Sequence, residues 1–375
     1  MRLIDNMSGF KGRLLLSTAL TAAVFIPVSA MADPTVVDGK QTVNGIIQER
    51  YVLNGGKKTE TTGGVINGID GVTGVTGSGE FENGLYQSSS GGLSIQGSDT
   101  RIDFNGGVIW DYSAYIPSFP EGASGTLYSG ETVYPTQITG DLTVNNGTFT
   151  GAIDIRKGSE QSVLKGLDKD GKEIKYDVKS MGDLSVSGGT FFFSKVSQFK
   201  MYDTNEGTLY MTGGDWFVGY DIGSDGKKGA AISGVVTTVD AGGGNSLYLR
   251  GGKYDIAEGS ELRLAGWEGT METASASYEF SGKGTLSVGF GNGFTISSDV
   301  KWDDGTLKQN SGSLTIAKQV TVNAFKQAGN DSLLSILDGG VLSVASDVTM
   351  NGNMSGKGTL KLTGTANGTI GGLSG

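Results

Sequence analysis

The chain has 375 residues, 65 of them glycine, and it contains neither cysteine nor histidine. Without these two residue types it has no Ser-His-Asp triad, no thiol nucleophile, no disulfide and no zinc site built on Cys or His. Its formal net charge of −10 argues against nucleic acid and anionic lipid as partners, because both would repel it.

The first predicted element is a Sec-type signal peptide over residues 1–32. Three basic residues precede the apolar stretch LLLSTALTAAVFIPVSA, and Ala30-Met31-Ala32 supplies the small residues of a cleavage site. A membrane anchor is the alternative, but Pro27 interrupts the stretch, which is shorter than the roughly 20 residues of a spanning helix. We therefore expect export through the inner membrane by the Sec machinery, without stable membrane insertion of the chain.

A glycine-rich β region or the start of the solenoid is predicted at 33–90, and a pattern of alternating apolar and polar residues recurs from residue 91 onward. In GDLTVNNGTFTG, residues 140–151, Leu142 and Val144 point to one face of a strand and Thr143 to the other. Asn-Gly or Gly-Gly then permits the positive φ of a sharp corner. Nine stretches of this kind align on Leu93, Leu142, Leu184, Leu209, Leu247, Leu286, Leu314, Leu334 and Leu360.

A second alternating strand follows each corner, and its inward residue is often aromatic. Examples are Phe149, Phe191, Trp216 and Tyr254. Leucine spacings of about 20 to 28 residues match one coil of a parallel β-helix, and spacings of about 40 match two coils or one coil with a loop. Stacked coils tolerate this irregularity better than a propeller, whose blades must close a ring. The sequence predicts an all-β chain with a parallel β-helix (β-solenoid) over 91–375.

The C-terminal repeats carry a family resemblance. The stretch SGKGTLKLTG at 355–364, preceded by GGVLSVASDVTMNGNM at 339–354, resembles the autotransporter-associated β-strand repeat of Gram-negative surface proteins. SGKGTLSVGFGNGF at 281–294 is a looser copy. The resemblance implies a type V secretion passenger that folds as a right-handed parallel β-helix. No translocator barrel follows the last repeat, so we expect a passenger fragment or a truncated gene product that needs a separate outer-membrane translocator.

Residues 108–137 form the first of three predicted insertions. They hold aromatic side chains in a proline-stiffened loop that could stack on sugars or anchor a protein partner. The alternative is that these rings pack the loop against the flank of the β-helix. The candidate binding residues are Trp110, Tyr112, Tyr115, Phe119, Tyr128 and Tyr134.

Two further insertions complete the predicted domain organisation. Residues 163–180 alternate on both sides of Asp170-Gly171, which indicates a β-hairpin. An EF-hand placed on this turn would put Gly166 at a position that requires a ligand, so calcium is not the expected occupant. Residues 219–234 lack a Walker motif, because Gly226-Lys227 is followed by Lys228 and not by Ser or Thr. We interpret these residues as a solvated loop.

The acidic residues around Trp302 are the nearest approach to a catalytic cluster. Asp299, Lys301, Asp303 and Asp304 lie in SSDVKWDDGTLKQ, where DDG is typical of a turn between strands. We therefore expect no catalytic, cofactor or metal site, and a secreted or surface-exposed structural or adhesive passenger. Possible partners are a surface glycan or protein. The alternatives are a carbohydrate-active β-helix enzyme and a truncated remnant without present function, and the chain stays periplasmic if no translocator serves it.

Overall fold

The computed structural model describes residues 141–160, 162–167, 173–273, 278–363 and 367–370, together with nine strands between Thr35 and Thr139. All the regular elements within these residues are β-strands, and most belong to large parallel sheets. The predicted all-β class is therefore confirmed for this part of the chain. The predicted signal peptide lies outside the described residues.

The strands are numbered in chain order. Those before residue 141 are β1 (Thr35–Val37), β2 (Gln41–Thr42), β3 (Tyr51–Leu53), β4 (Gly64–Asn67), β5 (Val72–Thr73), β6 (Leu93–Gln96), β7 (Arg101–Phe104), β8 (Ile109–Asp111) and β9 (Thr136–Thr139). Those up to residue 256 are β10 (Leu142–Val144), β11 (Thr148–Gly151), β12 (Asp154–Lys157), β13 (Val163–Leu167), β14 (Glu173–Met181), β15 (Leu184–Val186), β16 (Thr190–Phe193), β17 (Ser197–Met201), β18 (Asn205–Glu206), β19 (Thr208–Met211), β20 (Asp215–Val218), β21 (Tyr220–Ile222), β22 (Lys228–Ala231), β23 (Val236–Asp240), β24 (Ser246–Leu249) and β25 (Gly252–Ile256). The remaining strands are β26 (Glu261–Met271), β27 (Tyr278–Ser281), β28 (Thr285–Ile296), β29 (Val300–Ser311), β30 (Ser313–Ile316), β31 (Gln319–Gln327), β32 (Leu333–Ile336), β33 (Val341–Val344), β34 (Asp347–Met350), β35 (Asn353–Gly356), β36 (Thr359–Leu362) and β37 (Asn367–Ile370).

These strands pair in parallel to form three ladders, which the chain visits in turn from β10 onward. The first ladder contains β1, β3, β4, β6, β10, β15, β19, β24, β26, β28, β30, β32 and β35. The second contains β2, β5, β7, β11, β16, β20, β25 and β27, next to which lie β29, β31, β33 and β36. The third contains β8, β12, β17, β23, β26, β28, β29, β31, β34 and β37.

The predicted leucine alignment is correct for the seven leucines that lie in the first ladder, including Leu314 and Leu334 near its C-terminal end. Leu142 is the Cα partner of both Leu93 and Leu184, and Leu209 and Leu247 follow in the same register. Leu142, Leu184, Leu209 and Leu247 are fully buried. Because successive side chains of a strand alternate between faces, this register places one apolar row inside and one polar row outside.

Two of the nine aligned leucines belong to other ladders. Leu286 pairs with residues of the third ladder, and Leu360 pairs with Leu342 in the second. The sequence alignment was wrong here because all three ladders use the same Leu-x-Val alternation. In addition, the first half of β26 and of β28 pairs in the third ladder, and the second half of each pairs in the first ladder. No break in either strand marks the passage from one ladder to the next.

The inward side chains of the second ladder include a continuous stack of aromatic rings. The four predicted inward aromatic residues are fully buried, which confirms their orientation. Ring pairs of this geometry contribute roughly 0.5–1.5 kcal/mol each beyond the area they bury. The ring centroids are separated by 4.7 Å for Phe149–Phe191, 4.8 Å for Phe191–Trp216, 6.1 Å for Trp216–Tyr254, 5.1 Å for Tyr254–Phe280 and 5.6 Å for Phe280–Trp302.

The corner between the first and second ladders requires glycine for two different reasons. Gly189 has φ +100°, a left-handed conformation that glycine adopts without steric cost. Gly188 packs so closely that an added Cβ would lie 2.2 Å from the carbonyl oxygen of Asn145 on the neighbouring strand connection. Positive φ values at Gly147 and Gly214 confirm the predicted role of the Asn-Gly and Gly-Gly pairs.

Two buried amide side chains, Gln309 and Gln327, are hydrogen-bonded near the corner between the third and first ladders. Gln327 is fully buried, and its Nε2 donates to Gln309 Oε1 at 3.3 Å and to the carbonyl oxygen of Ser332 at 3.1 Å. Its Oε1 accepts a hydrogen bond from the backbone N–H of Gly352 at 2.9 Å. Because buried amides cost free energy unless they are paired, these contacts fix the position of the corner.

Candidate functional site

The first predicted binding loop is anchored to the third ladder by the strand in which it begins. Trp110 lies in β8, and its Cα partner is Arg156 of β12. The other five candidate residues, Tyr112, Tyr115, Phe119, Tyr128 and Tyr134, lie outside the described residues. Trp110 is therefore the candidate whose backbone position the structure gives.

The first and second insertions meet in one small sheet. Thr136–Thr139 of β9, at the end of the first insertion, pairs in parallel with Val178–Met181 of β14, in the second insertion. β14 also pairs antiparallel with β13 and parallel with β18. The antiparallel pair confirms the predicted hairpin strands, whereas the predicted turn at Asp170-Gly171 lies outside the described residues. The two insertions thus leave the ladders on the same side.

A charged cluster lies on the outer side of the third ladder, next to the start of the first insertion. The guanidinium of Arg156 donates to both carboxylate oxygens of Asp154, at 2.9 and 2.8 Å, and to the Tyr202 hydroxyl at 3.0 Å. Lys200 Nζ lies 4.5 Å from the centroid of the Tyr202 ring. Burial raises the pKa of Tyr202 to about 12, although Arg156 opposes this change. Burial lowers the pKa of Arg156, but the hydrogen bond and charge of Asp154 outweigh burial and raise the pKa, so the guanidinium stays charged.

The third insertion contains a short antiparallel hairpin, which corrects the interpretation of residues 219–234 as a solvated loop. β21 and β22 pair antiparallel, and β21 contacts β16 of the second ladder. Tyr220 donates its hydroxyl hydrogen to Asp255 Oδ1 at 2.9 Å, and Lys228 Nζ lies 2.6 Å from Asp255 Oδ2. Burial and Asp255 together raise the pKa of Tyr220 to about 12. Most residues from Asp221 to Gly234 are exposed, including most of β22, so the solvation of this insertion is as predicted and only its regular hairpin pairing was missed.

This hairpin lies beside an aromatic pair on the outer side of the second ladder. Phe192 points away from the core, since Phe191 and Phe193 on either side point inward, yet only 1% of its surface is exposed. Its ring stacks on Phe217 at 5.0 Å, and the Phe217 ring meets the ring of Tyr220 edge-on at 6.4 Å. The insertion therefore has a packing role that its polar sequence does not reveal.

The residues around Trp302 lie on a strand and not in the predicted turn, because Asp303, Asp304 and Gly305 are part of β29. Lys301 Nζ lies 3.1 Å from Asp303 Oδ2, and both side chains are well exposed. Asp299 Oδ1 accepts a hydrogen bond from a backbone N–H at 3.0 Å. Within the described part of the chain, no three His, Cys, Asp or Glu side chains are grouped to hold a metal ion.

Sequence reasoning missed an aromatic and charged group on the outer side of the first ladder. Tyr210 and Tyr248 stack with their ring centroids 5.8 Å apart, and the Arg250 guanidinium lies 4.7 and 5.5 Å from the two centroids. Arg250 Nε donates to Glu272 Oε2 at 2.5 Å, and this hydrogen bond raises the pKa of Arg250. The signal was present in the alignment, where both tyrosines occupy the middle position of the Leu-x-Leu or Leu-x-Met triplet.

Among the described residues, no helix has the length and apolar character needed to cross a membrane. No protein-family model, curated protein or solved structure matches the chain.

Proposed function

We propose that the chain is an exported structural or adhesive module without catalytic activity, a right-handed parallel β-helix that resembles an autotransporter passenger. The observation that supports this proposal most is the repeated passage of the chain through three parallel ladders around one buried apolar cluster that extends from Phe104 to Met350. A parallel β-helix consists of such ladders, and its long sides provide surface for contact with partners.

Small-angle X-ray scattering of the purified chain tests the architecture. With a rise of about 4.8 Å for each turn of the chain, a β-helix gives the scattering of an elongated particle. A radius of gyration typical of a compact globular domain of this size would contradict the β-helix. The handedness follows from a crystal structure or a cryo-electron microscopy map.

Cell fractionation tests the location. The full gene is expressed in a Gram-negative host that provides a candidate translocator, and the mature chain is followed by blotting in periplasm, outer membrane, cell surface and medium. We expect processed protein at the surface or in the medium, and unprocessed protein in the cytoplasm when residues 1–32 are deleted. Protein confined to the periplasm would contradict an adhesive role.

A polysaccharide assay tests the proposal that the chain has no catalytic activity. The assay is needed because the acidic residues around Trp302 are exposed on the second ladder, where a substrate could reach them. The purified chain is incubated with a panel of polysaccharides, and new reducing ends are measured. We expect no release above that of a heat-denatured sample. Depolymerisation that is abolished by Asp303→Asn or Asp304→Asn would establish the enzymatic alternative.

A further inference from the structure

In the strands of the first ladder from β10 to β35, the outward residue at the centre of each strand carries a hydroxyl group. Nine consecutive strands, from Thr143 in β10 to Ser355 in β35, have Thr, Ser, Tyr, Tyr, Thr, Thr, Thr, Ser and Ser at this position. Each is the Cα partner of the next, so they form one row, which we call the hydroxyl row. At a strand separation of about 4.8 Å, the row is roughly 40 Å long.

The other two ladders do not have an uncharged row at the equivalent position. In the third ladder, Arg263, Ser287, Lys308 and Lys326 follow one another in register, and in the second ladder Lys301 is an outward residue. Serine also occupies outward positions of the other ladders, as at Ser287 and Ser343, but in those ladders charged residues interrupt the hydroxyl side chains. The hydroxyl row is therefore a property of one side of the molecule and not of strands in general.

The chemistry of this row fits a neutral polysaccharide. Hydroxyl groups both donate and accept hydrogen bonds, as sugar hydroxyls do, and the nine residues of the row carry no charge that would favour an ionic ligand. Tyr210 and Tyr248, both partly exposed, add two phenolic hydroxyl groups to the row, and Arg250, which lies over both rings and is held by Glu272, adds a donor beside it. The net charge of −10 disfavours anionic polymers further.

We propose that the hydroxyl row binds a neutral polysaccharide chain that lies along the first ladder. The proposal deepens the adhesive function proposed above and rests on it for its biological role. Its location differs from the predicted loop at 108–137, because the row lies on the regular strands themselves.

Affinity electrophoresis of the full processed chain tests the proposal. Native gels contain dextran, a β-glucan or a galactomannan as neutral polymers, and alginate or heparin as anionic ones. We expect retardation by at least one neutral polymer and none by the anionic polymers. Retardation by anionic polymers alone, or by no polymer of the panel, would overturn the proposal.

Charge substitutions with matched controls locate the site. Thr315→Lys and Ser335→Lys place a charge in the hydroxyl row, whereas Thr321→Lys and Ser343→Lys place it at partly exposed outward positions of the second ladder in neighbouring strands. We expect the first pair to raise the dissociation constant at least tenfold and the second pair to leave it unchanged. Circular dichroism and urea unfolding confirm that all four variants fold. An equal effect of both pairs would contradict the assignment.

The two proposals can fail independently. A chain that reaches the cell surface but shows no retardation refutes the hydroxyl row and leaves the adhesive function to other surfaces. A chain that is retarded by a neutral polysaccharide but stays in the periplasm refutes surface adhesion and retains the binding site.

Discussion

The contact between Gly305 and Trp302 shows how single residues set the shape of a strand. Trp302 is buried and donates its Nε1 hydrogen to the carbonyl oxygen of Gly282 at 2.8 Å. A Cβ added to Gly305 would lie 1.8 Å from the indole ring, so Gly305→Ala must displace Trp302. Overpacking of this kind costs roughly 1–3 kcal/mol. We therefore expect a lower urea midpoint for Gly305→Ala.

Gly244→Ala provides the control for this substitution. Gly244 is exposed, and no heavy atom lies within 4 Å of the position of its added Cβ. Surface substitutions of this type change stability by about 0.5 kcal/mol or less. Equal midpoints for the two variants would show that the indole ring moves aside without cost.

At the scale of elements, the β21–β22 hairpin should protect the outer aromatic residues of the second ladder. Replacing residues 220–231 by a short glycine-containing turn removes Tyr220 and Lys228 from the ring of Phe217. Re-exposing a phenylalanine costs roughly 1.5–3 kcal/mol, so we expect a lower unfolding midpoint and increased binding of a hydrophobic dye. The dye binding should disappear when Phe192→Thr and Phe217→Thr are added. If the deletion alone leaves dye binding unchanged, the hairpin does not cover these rings.

The sequence was sufficient to predict the existence and character of most strands, but not the ladder to which each belongs. Alternation and glycine pairs placed Leu142, Leu184 and Leu209 correctly, because a glycine corner separates the strands on these turns. The same rule assigned Leu286 wrongly, because β28 continues for 12 residues across a corner. The alternation of apolar and polar residues indicates which face of a strand is buried. It does not indicate the partner strand, which depends on the number of residues in each corner.

For the candidate sites too, the sequence indicated the individual segments but not their arrangement in space. The aromatic composition of the 108–137 loop and the hairpin pattern of 163–180 were visible in the sequence, but their convergence on β14 depends on pairing between distant strands. The hydroxyl row was visible one residue at a time, in Thr143 and Ser185 for example. It becomes a continuous surface only when the register aligns nine strands.

At the scale of the whole molecule, the core is continuous but the contacts are local along the ladders. One buried cluster connects Leu142 to Met350, although each strand pairs only with strands directly before and after it in its ladder. In such an arrangement, stability is the sum of contributions from individual turns and from the interfaces between neighbouring turns. A defect should therefore weaken its own neighbourhood more than the distant end of the stack.

Hydrogen exchange on two variants, one substituted near each end of the buried core, measures how far a defect spreads along the ladders. Val344→Asp and Val186→Asp each place a carboxylate at a fully buried position of the core, one in β33 and the other in β15. An unpaired buried charge is strongly destabilising, so amide protection should fall around each substitution. We expect Val344→Asp to accelerate exchange in β30–β36 while β16–β20 stay protected, and Val186→Asp to give the reverse pattern. Uniform acceleration in both variants would mean that the ladders unfold as one cooperative unit, and that the turns are not independent contributors to stability.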